Sequence, residues 1–159
     1  VAFICNHCPV VLHMLPGLID FAREYADKGV QVIAISSNWP DEFPEDDFPH
    51  MQAFAKEWAL PFPYLYDESQ DVALAFNAIC TPDFFLFGAL VDGARRLVYR
   101  GQLDGSRPGN SIPVTGRDLR AAVTLIGDHG PGGLRRPRGE VGDSGPGRGR
   151  AASSGWSAS

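Results

Sequence analysis

A strand-length apolar run, "VAFIC" (residues 1–5), leads directly into a helical pattern, and this junction constrains the fold more than any other feature of the chain. Pro9 suits the first turn of a helix, where its missing N–H leaves no bond unmade. Leu12, Leu15, Ile19, Ala22 and Ala26 then recur at spacings of three and four, giving one apolar face. Pro16 should kink this helix and Gly29 should end it. "VQVIAIS" (30–36) follows, almost wholly apolar apart from Gln31, as expected of a strand covered on both faces. Strand, helix, strand in this order predicts a parallel pair with a right-handed crossover.

The rest of the folded part continues the alternation. A polar, proline-containing loop is expected from Asn38 to Asp46, and a second helix from Asp47 to Trp58. "FPYLYD" (62–67) reads as a short strand. Asp67 with Gln70 three residues on resembles a capping box, opening a helix to Phe76. "DFFLF" (83–87) and "RLVYRG" (96–101) pair as an antiparallel hairpin. Thr115 with Asp118 should cap a last helix over residues 116–126. The expected class is α/β: a central mixed sheet with helices on both faces, formed by residues 1–126.

Composition changes sharply after that. Residues 128–159 hold 9 of the 18 glycines and 5 of the 14 Lys and Arg residues, and they show no apolar period. Such a segment buries too little surface to offset the entropy of ordering it, so 127–159 is expected to be a disordered Gly/Arg/Ser-rich tail. The net charge of −5 argues against a nucleic-acid partner. No apolar run approaches the roughly 18 residues needed to cross a bilayer. The compartment stays open, because any signal peptide would precede Val1.

Three cysteines in 159 residues do not make a disulfide scaffold. Two of them, Cys5 and Cys8, stand two residues apart where the first strand meets the first helix. Backbone N–H groups without helical partners point out of a helix start, which is also the positive end of its dipole. A thiolate there is stabilised, so the Cys5 pKa is expected below its ordinary value of about 8.5. Cys5 would then attack, and Cys8, one turn on and more buried, would resolve the mixed disulfide. His7, between them, would donate a proton or favour the thiolate. Two other readings stand beside this one. A zinc site needs about four ligands, and beyond the pair the sequence offers Cys80, His7, His13, His50 and His129. An inert buried pair needs nothing further. We take no metal as the expectation.

"FICNHCP", the helix after it, "YLYDESQDVALAFNAICTPDFFLF" and "LVYRGQLD" together resemble the thioredoxin-like superfamily. The resemblance is closest to its alkyl hydroperoxide reductase/thiol-specific antioxidant (AhpC/TSA) branch, with TlpA-like and peroxiredoxin-like proteins as relatives. It implies a thioredoxin-like fold and a redox pair at Cys5 and Cys8. It also implies a cis Thr81–Pro82 bond packed against that pair, with the Thr81 backbone facing a thiol or disulfide substrate. No cofactor is implied, since the cysteines carry the electrons. The segment Asp47–Trp58 matches the insertion of these branches. Asn6, Asn38 and Trp39 would line the site, and Cys80 would be an accessory thiol or simply a small side chain. The buried acid that thioredoxins carry on the strand before the pair would fall upstream of Val1. The implied function is thiol–disulfide exchange. A peroxiredoxin-like peroxidase acting on hydroperoxides is the alternative, although no Thr-x-x-Cys is present. A non-catalytic binding module of the same fold is the third reading.

Overall fold

The first strand is shorter than its apolar run. In a computed structural model, which describes residues 1–91 and 93–127, strand β1 is Ala2–Phe3. Helix α1 follows as Pro9–Ala26 and runs through the exposed Pro16 as one helix of 18 residues. Its buried face is Val11, Met14, Leu15, Leu18, Ile19, Phe21 and Ala22. Leu12 and Ala26, expected on that face, are exposed; the stripe is centred one position away. The chain leaves the helix through Gly29, whose φ of +81° suits a residue without a Cβ.

Strand β2, Ala34–Ser36, lies parallel to β1, with Ala2 opposite Ala34 and Phe3 opposite Ile35. All three of its residues are buried, as a strand covered on both faces requires. The loop expected over Asn38–Asp46 contains a single 3₁₀ turn, Pro44–Asp46. Helix α2 is Phe48–Glu57, and the Asp47 carboxylate accepts the His50 N–H at its start. Strand β3, Tyr64–Tyr66, adds parallel to β2 at the sheet edge.

Helix α3 is Asp71–Phe76, later than the capping-box pattern placed it. Asp67 still serves its start, accepting the Val72 and Ala73 amides. Gln70 does not reciprocate; its side-chain amide bonds the Ser37 carbonyl instead. Strands β4, Asp83–Val91, and β5, Ala94–Gly101, form the expected antiparallel hairpin. β4 runs antiparallel to β1, with Phe84 opposite Ala2. Helix α4 is Arg117–Gly127. The Thr115 cap is replaced: Gly116, at φ +67°, precedes the helix, and the Asp104 carboxylate takes the Thr115 and Gly116 amides.

The sheet order is β3-β2-β1-β4-β5, a mixed sheet with β1 at its centre. One face carries the main core, built from α1 with Phe54 of α2 and Leu119 of α4. On the other face Phe3, Ile35 and Phe85 pack with Ala73 and Phe76 of α3. The expectation of helices on both faces is met. The C-terminal end of the central strand therefore delivers Cys5 to the middle of the sheet's edge, beside the loops after β2 and before β4. The tail beyond Gly127 lies outside the described residues.

Candidate redox site

Cys8 is the N-cap of α1, so the pair straddles the start of that helix. The Cys5 sulfur lies 3.2 Å from the Thr81 hydroxyl. The Cys8 thiol donates to the Thr81 carbonyl over 3.5 Å. One residue thus touches both sulfurs, and the Thr81–Pro82 bond beside them is cis. Cys5, Cys8 and Thr81 thus come together, with Pro82 next to Thr81 and His7 between the two cysteines in the chain. All three cysteines are free thiols.

Two expectations about the pair are reversed. Cys5, not Cys8, is the more buried: only 1% of it is exposed, while Cys8 is half-buried. Its pKa is also raised rather than lowered. Burial is the largest cause, because it withdraws solvation from the thiolate. The bonds from Thr81 and the Cys8 amide oppose it, and the Asp46 charge adds to the rise.

Asp46 is the residue that sequence reasoning missed. It is fully buried, at 0% exposure, and it ends the 3₁₀ turn in the loop after β2. Its Oδ1 accepts the Asn6 backbone N–H at 2.6 Å. Its Oδ2 is 2.7 Å from His7 Nδ1 and accepts the Asn38 side-chain amide at 2.6 Å. Facing a carboxylate, Nδ1 is the donor. Asn6 completes the clasp: its side-chain amide bonds the Glu45 carbonyl and its oxygen accepts the Tyr64 hydroxyl. Asn38 therefore belongs to the site, acting through Asp46. Burial raises the Tyr64 pKa, with Asp46 and Cys5 adding to the rise. The His7 ring, one-third exposed, stacks on Phe43 at 4.8 Å. A buried acid does stand at the site, supplied by the loop after β2.

Trp39 is 52% exposed, and its carbonyl accepts the Glu42 and Phe43 amides in a turn. Cys80 is exposed. With Thr81 it forms a ridge between two clefts of about 240 and 220 Å³. Asn38 and Ile79 border the first, and Pro82 and Met14 the second. Cys5, His7 and Asp46 bring a sulfur, a ring nitrogen and a carboxylate oxygen within 4.8 Å of one another. The Asp46 oxygens already accept three N–H groups, so these residues form a hydrogen-bonded network rather than an open ligand shell.

The family model of the AhpC/TSA family matches residues 1–96. This chain belongs to the AhpC/TSA family. Among solved structures, it is 48% identical to an uncharacterized conserved protein from Geobacillus kaustophilus, with a TM-score of 0.75, covering 85% of this chain and 69% of that one. It is 50% identical to a hypothetical protein from Sinorhizobium meliloti, with a TM-score of 0.73 and coverages of 79% and 66%. The chain thus spans about two thirds of these two relatives. A secreted disulfide oxidoreductase from Mycobacterium tuberculosis shares the fold at 22% identity, with a TM-score of 0.54 and coverages of 79% and 78%. No curated protein matches. The fold is thioredoxin-like, and AhpC/TSA membership supports a general redox role. Among the described residues, no helix is long and apolar enough to cross a membrane.

Proposed function

We propose that this AhpC/TSA chain is a thiol–disulfide oxidoreductase whose redox pair is Cys5 and Cys8, working without a cofactor on protein or small-molecule disulfides. The observation that carries this reading is that both sulfurs contact Thr81, one through its hydroxyl and one through its carbonyl. That arrangement gathers two thiols and the edge of a backbone at one point.

In the reduced chain the Cys5 sulfur attacks a partner disulfide. A sulfur–sulfur bond forms to one partner sulfur, and the other leaves as a thiol after taking up a proton. Cys8 then attacks the Cys5 sulfur, closes the pair and releases the second partner thiol. Two electrons and two protons pass to the partner. Cys5 is assigned the attack because its sulfur sits against the Thr81 hydroxyl, which would donate to its thiolate. The ridge at Cys80–Thr81, with a cleft on either side, suits an extended partner segment.

The test is trapping. Cys8→Ser should accumulate a stable mixed disulfide on Cys5 when mixed with glutathione disulfide, and Cys5→Ser should not. Measuring the reduction potential of the native pair then separates a reductant from an oxidant. Absence of a Cys5–Cys8 disulfide across a glutathione redox series would refute the reading. The peroxidase alternative draws on the same Thr81 hydroxyl, but among the described residues no arginine bonds Cys5. Hydroperoxide consumption that survives Cys8→Ser and not Cys5→Ser would favour it.

A further inference from the structure

The ridge at Cys80–Thr81 stands on a boundary of charge. Residues 37–71 carry nine Asp and Glu against one Lys, whereas residues 94–120 carry six Arg against two Asp. The first cleft takes Ser37, Asn38 and Gln70 of its wall from the acidic stretch. The second takes Gln102, Ser106 and Arg107 from the basic one. A partner segment lying across the ridge therefore meets fields of opposite sign on its two sides.

Arg107 is the basic residue of the second cleft, and the chain around it holds it in place. Pro108 and Gly109, the latter at φ +87°, suit the two middle positions of a tight turn. The Asn110 amide closes that turn onto the Arg107 carbonyl at 3.1 Å, and the Asn110 side-chain oxygen accepts the Arg107 amide at 3.1 Å. The guanidinium donates to the Asp104 carbonyl at 3.0 Å, the Ser106 carbonyl at 2.6 Å and the Gln102 side-chain oxygen at 2.6 Å. These acceptors are neutral, so they orient the fork without cancelling its charge. The fork has more N–H donors than these three bonds use, and the residue is exposed. Asp104 also borders the cleft, but it is buried and its carboxylate is taken up by Ser106, Thr115 and Gly116. Val10, Met14, Pro82 and Leu103 make the rest of the lining largely apolar. An apolar cleft with one oriented cation fits a segment that carries a carboxylate, because the planar fork matches a carboxylate's two oxygens.

We propose that the second cleft is a carboxylate subsite, in which Arg107 selects disulfide partners that carry an acidic residue close to the reacting cysteine. This deepens the oxidoreductase reading and rests on it. The partner crosses Cys80–Thr81 with its acid on the Pro82 side, where Arg107 donates to it. An acid on the other side of the cysteine faces the acidic stretch and gains nothing. Arg107 meets the partner away from the reacting sulfurs, so it sets affinity and leaves the exchange chemistry as described.

The experiment uses the reduced full chain in a Cys80→Ser background, so that only the pair reacts. Its probes are short peptides with a central cysteine, activated as mixed disulfides with 2-thiopyridine. Attack by Cys5 joins it to the peptide sulfur and releases pyridine-2-thione, which takes the proton and is followed by absorbance. Asp, Lys or Ala stands either before or after the peptide cysteine. At low salt one of the two Asp placements should react about fivefold faster than the matching Ala peptide, as a partly exposed ion pair allows, and the matching Lys peptide should react more slowly. The gain should fade at about 1 M salt. Arg107→Gln should abolish it, and Arg107→Glu should transfer it to the Lys peptide. Arg95→Gln, at the far end of β5, should leave it unchanged. Each comparison is a ratio of rates within one variant, so a general loss of activity cancels. No gain from Asp, an equal gain in both placements, or a gain that survives Arg107→Gln overturns the subsite. Should the Arg107 variants fail to fold by circular dichroism, the peptide ratios of the parent chain and their salt dependence decide. The outcomes are separable: a pair that exchanges without regard to peptide charge sinks the subsite only, whereas a pair that exchanges with no peptide sinks the oxidoreductase reading and the subsite with it.

Discussion

At the residue scale, the three cysteines differ in what surrounds them. Cys80 is exposed, Cys8 half-buried and Cys5 almost wholly covered. Iodoacetamide labelling of the reduced chain near neutral pH should therefore modify Cys80 before Cys8, as peptide mapping would show. Burial also gives Cys5 a sign in the stability profile. A thiol whose pKa is raised on folding stabilises the native state below its ordinary value of about 8.5, and that contribution is lost as pH rises through the folded value. Cys5→Ala should flatten this alkaline loss in denaturant titrations. The motif at Cys5 and Cys8 was readable in the sequence, as were Thr81 and Pro82, because each is a local signal. The burial of Cys5 was not, since the cover comes from Thr81, 76 residues on. Asp46 was hidden for a similar reason. It stands among Asp41, Glu42, Glu45 and Asp47 in a proline-rich stretch that reads as a solvated loop. Only contacts to Asn6, His7 and Asn38 single it out, and the asparagine inside the motif and the one after the second strand were the one available hint.

At the level of elements, every α-helix of the described residues was expected from the sequence, α1 from its periodicity and α3 and α4 from capping patterns, but some of their details are displaced. α1 is amphipathic as expected, yet its stripe includes Val11 and Met14 in place of Leu12, because the sheet and the C-terminal segment decide which side turns inward. α3 begins late because Gln70 adopts φ +61° and turns its side chain to Ser37, a tertiary bond that outcompetes the local box. The packing of α1 also rests on a position that the hydrophobic pattern ignored. A Cβ on Gly17 would stand 2.5 Å from Val114 Cγ1, so α1 approaches the segment before α4 only because that atom is missing. Alanine would gain about 1 kcal/mol in helix propensity, and the clash would cost about 1–3 kcal/mol. Gly17→Ala alone should lower the melting temperature. In a Val114→Ala background, where the clash is gone, the same change should raise it.

On the scale of the whole molecule, one buried acid fastens the C-terminal part of the chain. Asp104 is 3% exposed and accepts from the Ser106 amide and hydroxyl and from the Thr115 and Gly116 amides. Burial opposes its charge, but these bonds outweigh that, and its pKa falls below the usual aspartate value. A depressed carboxylate stabilises the fold above its ordinary pKa of about 3.9 and loses that contribution as pH falls through the folded value. Asp104→Ala should cost about 3 kcal/mol at neutral pH, by leaving several donors without an acceptor, and should remove that part of the acid unfolding limb. The same long-range construction governs the candidate site. Its sulfurs, imidazole, carboxylate and threonine come from residues 5–8, 38–46 and 81–82, brought together only when the sheet closes. A synthetic peptide carrying the first thirty or so residues would keep the cysteine motif letter for letter, yet without Thr81 and Asp46 its Cys5 thiol would lose the cover and the neighbours that set it apart from a thiol in any flexible chain.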